Sequence, residues 1–290
     1  MTNTDQLLQQ FVERALAEDV GDGDHTSNAC IPADAVTTAE LLVKDTGVIA
    51  GIEVARRIFA HVDPGTDMTV HIPDGTDVTY GDIVYVIRCN ARAMLKAERL
   101  VLNVMQRMSG IATMSSRFAV EVEDLDVKIL DTRKTTPLMR FLEKQAVRIG
   151  GCENYRSGLY DWIMIKDNHI DACGGIEPAI DRVHAYLRER GLQLGITIEV
   201  RNLVELYEVI RRGGIDRIML DNFDHPILHE AVQIVDGQFE TEASGGVTLA
   251  NVRSIAETGV DYISSGALTH SAGSLDLSLN VIPNQDNGSA

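Results

Sequence analysis

From about residue 111 onward, short apolar runs alternate with helical stretches, and this rhythm predicts an α/β protein built on a parallel sheet. Two further observations support that class. Each apolar run ends in polar residues, as strands do when their carboxyl ends face a common site. The first 110 residues follow a different pattern, which predicts a separate N-terminal layer of mixed α and β structure.

In that layer, 5–18 has a helical stripe of Leu7, Leu8, Phe11, Val12, Ala15 and Leu16. The runs TTAELLVK, TGVIAGI, DMTVHI and DIVYVIR read as strands, divided by turn signals at Asp63-Pro64-Gly65 and Pro73-Asp74-Gly75. A helix over about 91–108 follows. Beyond it, strands are expected at 127–131, 162–166, 195–200, 217–221, 239–244 and 261–265. Helices are expected at 137–149, with Thr136 as cap and Pro137 in the first turn, at 202–212, with Glu205 three positions after Asn202, and at 248–258. Six or seven such units point to a closed or nearly closed barrel, although spacing alone leaves an open sheet possible. The polar tail, 284–290, reads as frayed.

Composition narrows the function. Basic residues number 26 and acidic ones 43, a formal net charge of -17, which disfavours a nucleic-acid partner but allows a local basic pocket. No signal-peptide pattern opens the chain and no run is long enough for a membrane span, so a soluble cytoplasmic protein is expected. Cys30, Cys89, Cys152 and Cys173 form no CxxC pair or zinc spacing and read as reduced thiols.

The chemistry lies at the strand ends: Asp131-Thr-Arg-Lys134, Lys166-Asp-Asn-His169, Glu199-Val-Arg201, Asp221-Asn222, Ser244-Gly-Gly246 and Ser264-Ser-Gly266. Arg133, Lys134, Arg156 and Lys166 together suit a substrate with several negative groups, although each alone could pair with a nearby acid. Glu199 and Asp221 are hard oxygen donors of the kind that hold Mg²⁺ together with substrate phosphates. The two serine-glycine turns offer backbone N–H groups to a phosphate. No P-loop GxxxxGK[ST] is present, which argues against a nucleotide triphosphatase.

Asp131-Thr-Arg-Lys-Thr-Thr-Pro137, Glu143-Lys-Gln-Ala-Val147, Asn154-Tyr-Arg156 and Ile165-Lys-Asp-Asn-His-Ile170 closely resemble the quinolinate phosphoribosyltransferases. So do Glu18-Asp-Val-Gly-Asp22, Glu98-Arg99 with Asn103, Ile218-Met-Leu-Asp-Asn222 and Ala243-Ser-Gly-Gly246. The resemblance runs through nearly the whole chain. It implies an N-terminal α/β sandwich over 1–110 and an α/β barrel of about six parallel strands over 111–272, the type II phosphoribosyltransferase fold. The segment 273–290 would return to the first domain.

The resemblance further implies that quinolinate and phosphoribosyl pyrophosphate react, with Mg²⁺, to nicotinate mononucleotide, pyrophosphate and CO₂ in NAD synthesis. It implies a homodimer, with Arg99 reaching into the partner's site. Arg133, Arg156 and Lys166 would bind the quinolinate carboxylates beside Tyr155. Lys134 would hold the phosphoribosyl donor, with Glu199 and Asp221 at its ribose and Mg²⁺. Ser244, Gly245, Gly246, Ser265 and Gly266 would line its phosphate seat.

One departure stands out: the family pattern is Asn-His-Arg, whereas this chain has Asn154-Tyr155-Arg156. Tyrosine replaces a titratable donor with a neutral hydroxyl, and we expect the swap to keep acid specificity. The rival readings are a paralogous enzyme for another acid such as nicotinate, a non-catalytic binding protein on the same scaffold, and a lyase using Lys166 as a Schiff base. A monoacid would leave cations unmatched in the first, and intact Lys134, Glu199 and Asp221 argue against the second.

Overall fold

The computed structural model describes residues 3–283, so the tail expected to fray, 284–290, lies outside the described residues. Helix α1 (Asn3–Val20) buries Val12 and Leu16 on the expected stripe. Helix α2 (His25–Cys30) starts at Asp24, whose carboxylate accepts the Ser27 N–H at 3.0 Å. Strand β1 (Val36–Val43) alternates as a half-buried strand should, burying Ala39, Leu41 and Val43.

The expected TGVIAGI strand is cut short. Only β2 (Gly47–Val48) pairs, because the backbone turns at Gly51 (φ 102) and enters helix α3 (Ile52–Val62). That helix was not anticipated, although buried Ile52, Ala55, Ile58 and Phe59 recur at helical spacing. Strands β3 (Asp67–Val70), β4 (Asp77–Val78) and β5 (Ile83–Asn90) precede helix α4 (Ala91–Glu121), which runs well past the expected end near 108. Gly110 does not stop it: a Cβ there would sit 1.9 Å from the Gly273 carbonyl oxygen, so this glycine serves a close backbone approach.

The remaining elements are β6 (Lys128–Leu130), α5 (Arg140–Ile149), β7 (Ile163–Ile165), α6 (Asp167–Cys173), α7 (Ile176–Arg190), β8 (Ile196–Val200) and α8 (Leu203–Arg212). Then come β9 (Arg217–Asp221), α9 (His225–Val235), β10 (Glu240–Ser244), α10 (Val252–Ala256), β11 (Tyr262–Ser264), α11 (Ala267–His270) and β12 (Leu277–Ile282). Asn202 caps α8, accepting the Glu205 N–H at 3.0 Å as its spacing predicts. Thr136 does not cap α5. Leu138 adopts φ 67 and delays the helix to Arg140, while Thr136 donates its N–H and hydroxyl to the Glu143 carboxylate at 3.1 and 2.7 Å.

The chain forms two compact units. One comprises 3–116, 136–151 and 272–283. Its sheet has the order β12-β1-β5-β3, all antiparallel, with β12 paired along β1. The segment 136–151, which the sequence pattern places in the barrel, groups with this unit. Phe141 meets Phe11 edge-on, Arg107 pairs with Glu143 at 3.0 Å, and Gly150 lies so close to the Ala112 carbonyl that no side chain would fit.

The other unit, 117–135 and 152–271, carries the six parallel strands in the order β6-β11-β10-β9-β8-β7. The residues after Gly151 add a parallel bridge from Glu153 to Leu130 at the β6 edge. Every residue of β8 is buried, as expected for a parallel strand covered on both faces. One face is aliphatic, with Ile198, Val200, Ile218, Leu220 and Ile263. The inner face is polar, and it leads to the site.

Candidate active site

Strand alternation decides what points inward. Glu199 pairs in register with Met219, and Asp221 with Ser244, so Glu199, Asp221 and Ser244 share the inner face at successive levels. Lys166 follows β7 directly, and its ammonium lies 2.8 Å from the Glu199 carboxylate. Lys166 is 45 % exposed and Glu199 only 9 %, so a rim cation holds a sunken anion. The Lys166 N–H is accepted by His169 Nδ1 at 2.9 Å, which fixes the backbone where β7 becomes α6.

Asp221 ends β9 and accepts the Asn222 side-chain amide at 2.7 Å. The Asn222 N–H in turn donates to the Ser244 carbonyl at 2.8 Å. Gly245 (φ 95) and Gly246 (φ 60) leave their N–H groups on an open turn. After β11, Ser265 is buried and its hydroxyl donates to the Val247 carbonyl at 3.0 Å, so this side chain shapes the turn. Gly266 has ordinary dihedrals; it is needed for space, because a Cβ would lie 2.8 Å from the His270 ring and 2.9 Å from Lys134 Cδ. The Thr269 hydroxyl donates to the Lys134 carbonyl at 2.8 Å and pins the Lys134 loop to α11.

Two guanidiniums stand near one another. Burial, followed by the like charge of Arg133, holds Arg156 below the usual arginine range, with Tyr155, Asp161 and Glu242 acting in the opposite direction. Asp131 is fully buried and accepts the Tyr155 N–H at 2.8 Å, which ties the Tyr155–Arg156 loop to the end of β6.

Tyr155 itself points its hydroxyl at Thr197 Oγ1, 2.6 Å away, two residues before Glu199 on β8. Trp162 donates its indole N–H to the same Thr197 oxygen at 2.8 Å. Burial, with the Glu242 charge adding, pushes the Tyr155 phenol well above its ordinary range. Below the rim, Arg217 bonds Glu242 at 3.2 Å and Glu240 at 2.9 Å. Its guanidinium lies over the rings of Tyr262, Tyr155 and Trp162, at 3.6, 5.2 and 5.8 Å from their centroids.

The sequence reading missed this ionic floor. Strand alternation followed back from Glu199, Asp221 and Ser244 reaches Thr197 and Glu242 in one step of two residues and Arg217 in two such steps, which is the signal that could have found it.

Lys134, Lys166, Glu199, Asp221, Ser244, Gly245, Gly246 and Gly266 thus all sit at carboxyl ends of the parallel strands, with Arg133 and Arg156 on the adjoining loops. Arg99 belongs to the other unit, where it is exposed and lines a cavity of about 640 Å³ with Arg14, Glu18, Asn103 and Arg107. Among the described residues no group of three or more His, Cys, Asp or Glu is arranged to hold a metal ion. No described helix is long and apolar enough to cross a membrane.

Comparison with known proteins gives one answer along nearly the whole chain. Residues 24–109 match the N-terminal domain of quinolinate phosphoribosyl transferase and residues 111–280 its C-terminal domain. The Nicotiana tabacum protein named quinolinate phosphoribosyltransferase [decarboxylating] 1b is 46 % identical, covering 94 % of this chain and 82 % of its own length. A Bacillus subtilis protein named probable nicotinate-nucleotide pyrophosphorylase [carboxylating] is 40 % identical, with 94 % and 93 % covered. The solved structure of NadC from Streptococcus pyogenes superposes with a TM-score of 0.90 at 36 % identity, covering 97 % of both chains. With both domains matched in order and the strand-end residues in place, the chain belongs to the quinolinate phosphoribosyltransferase family.

Proposed function

We propose that this chain transfers the phosphoribosyl group of phosphoribosyl pyrophosphate to quinolinate, releasing pyrophosphate and CO₂ and forming nicotinate mononucleotide for de novo NAD synthesis. The observation that carries the reading is the cationic pair Arg133 and Arg156, on loops at the same carboxyl ends of the parallel strands as Lys166. Like charges gathered in a half-buried site are relieved by a dianion, which two adjacent carboxylates on a pyridine ring supply.

The other rim residues divide the remaining work. Positive charge develops on the ribose as the C1–pyrophosphate bond breaks, and Glu199 and Asp221 stabilise it from the inner face. Lys134 neutralises the departing pyrophosphate, while the Ser244–Gly246 and Gly266 turns hold the 5-phosphate through backbone N–H groups. Lys166 and the arginines place the ring nitrogen against C1. Glu199 and Asp221 fit Mg²⁺, being hard oxygen donors on one face of adjacent strands, too few for a closed protein cage and sufficient with substrate oxygens and water. Bound there, the ion would offset charge on the pyrophosphate.

Arg99 lies exposed in a cavity of the first unit, which supports a homodimer in which it completes the partner's acid site.

Two measurements bear on the acid. Calorimetric titration is expected to show quinolinate binding at least about tenfold tighter than nicotinate, the share of one additional charge-assisted contact. Equal affinities would overturn the dianion reading. Tyr155→His is expected to leave quinolinate as the substrate and change its KM only about two- to threefold, because the Tyr155 hydroxyl is already committed to Thr197. Consumption of a different acid by that variant would contradict this.

A further inference from the structure

Among the described residues, only Leu138, Asn222 and Asp236 adopt positive φ without being glycine. Asn222, with φ 56, is the one that touches the proposed chemistry. Glycine serves the left-handed conformation at Gly245 and Gly246 nearby, and it would serve equally at 222. The asparagine side chain therefore needs a reason of its own.

Two side-chain contacts supply it, with one backbone bond between them. The Asn222 amide donates to one oxygen of Asp221 at 2.7 Å. Its backbone N–H donates to the Ser244 carbonyl at 2.8 Å. Its side-chain oxygen occupies the space of a missing side chain at Gly245, 2.1 Å from where a Cβ would stand. Asn222 thus lies wedged between the carboxylate of β9 and the turn after β10.

We propose that Asn222 is a positioning residue that locks the Asp221 carboxylate and the Ser244–Gly246 turn into one unit, so that ribose and 5-phosphate are held in register. The inference rests on the phosphoribosyl-transfer reading above. An amide bonded to one carboxylate oxygen leaves the other free for a ligand, and an unlocked carboxylate rotates about its own χ2.

The test compares Asn222→Gly, which keeps the backbone unstrained but removes the amide, with Asn222→Asp, which keeps the size and places a like charge against Asp221. Asn222→Gly is expected to lower kcat by about tenfold to a hundredfold, with KM for quinolinate within about twofold. Asn222→Asp is expected to lose more. Calorimetry with Mg²⁺ and phosphoribosyl pyrophosphate then closes a cycle with Asp221→Ala. If Asn222 acts through Asp221, Asn222→Gly weakens binding in the wild-type background and changes it less than about twofold in Asp221→Ala.

Near-wild-type kcat and affinity for Asn222→Gly, or equal effects in both backgrounds, would overturn the proposal. Should wild-type protein bind the donor yet form no nucleotide from quinolinate, the assigned reaction fails while the calorimetric cycle still decides the role of Asn222.

Discussion

Alanine at position 166 is expected to lower kcat/KM for quinolinate by about two to three orders of magnitude while lowering stability by less than the roughly 3–5 kcal/mol that breaking a fully buried pair costs. The two effects separate because of where Lys166 sits. Its ammonium is nearly half exposed, so its 2.8 Å contact with Glu199 is screened by solvent and adds little to folding. In the proposed reaction the same cation would stand between the acid and the Glu199 carboxylate that faces the ribose, where bound substrate would exclude water and strengthen the charge. Glu199, almost fully buried, would also lose the partner that orients it. Steady-state kinetics and thermal melting on the same preparation check this. Activity within about threefold of wild type would remove Lys166 from the proposed machinery.

The opposite separation is expected at Arg217, where alanine should cost about 3–5 kcal/mol of stability. Arg217 is 8 % exposed and Glu242 is fully buried, so losing the guanidinium strands a carboxylate inside the second unit. Burial works against the charge on Arg217, but Glu242 and Glu240 outweigh it and hold the guanidinium more firmly protonated.

The pH dependence follows from Glu242, whose carboxyl is raised above the usual range by burial, with Ser264, Arg217 and Tyr155 pulling the other way. A raised folded-state pKa contributes stability that is fully present below the unfolded value and is lost as pH rises through the folded one. Without Arg217 that raise is larger, so the deficit of Arg217→Ala should grow as pH rises above the ordinary carboxylate range. Replacing both partners, as in Arg217→Met with Glu242→Leu, should recover part of the loss. Denaturant unfolding at several pH values measures both effects. A deficit that is constant or shrinks with rising pH would contradict the buried-carboxylate account.

Much of this was legible before any coordinates. The barrel strands stand out because a parallel strand covered on both faces is written as a short apolar run, as in Ile196–Val200. The rim residues follow from one rule, that chemistry gathers at carboxyl ends, applied to runs ending in Lys166, Glu199 and Asp221.

Three features escaped for physical reasons. Arg217 and Glu242 look like solvent-facing positions, since nothing local says that two such residues will meet across neighbouring strands. Helix α3 was hidden behind a β-like run that passes through Gly51, and only the left-handed turn there changes the period. Helix α5 follows a strand just as a barrel helix does. Its grouping with the other unit depends on Phe11, Arg107 and Ala112, residues distant in sequence.

The assigned reaction itself is tested most directly by product analysis. Purified protein is incubated with Mg²⁺ and phosphoribosyl pyrophosphate, and with quinolinate labelled at the 2-carboxylate or with nicotinate in its place. Equal amounts of nicotinate mononucleotide and labelled CO₂ from quinolinate, with none of the nucleotide from nicotinate, are the predicted result. Nucleotide from nicotinate and none from quinolinate would contradict the account.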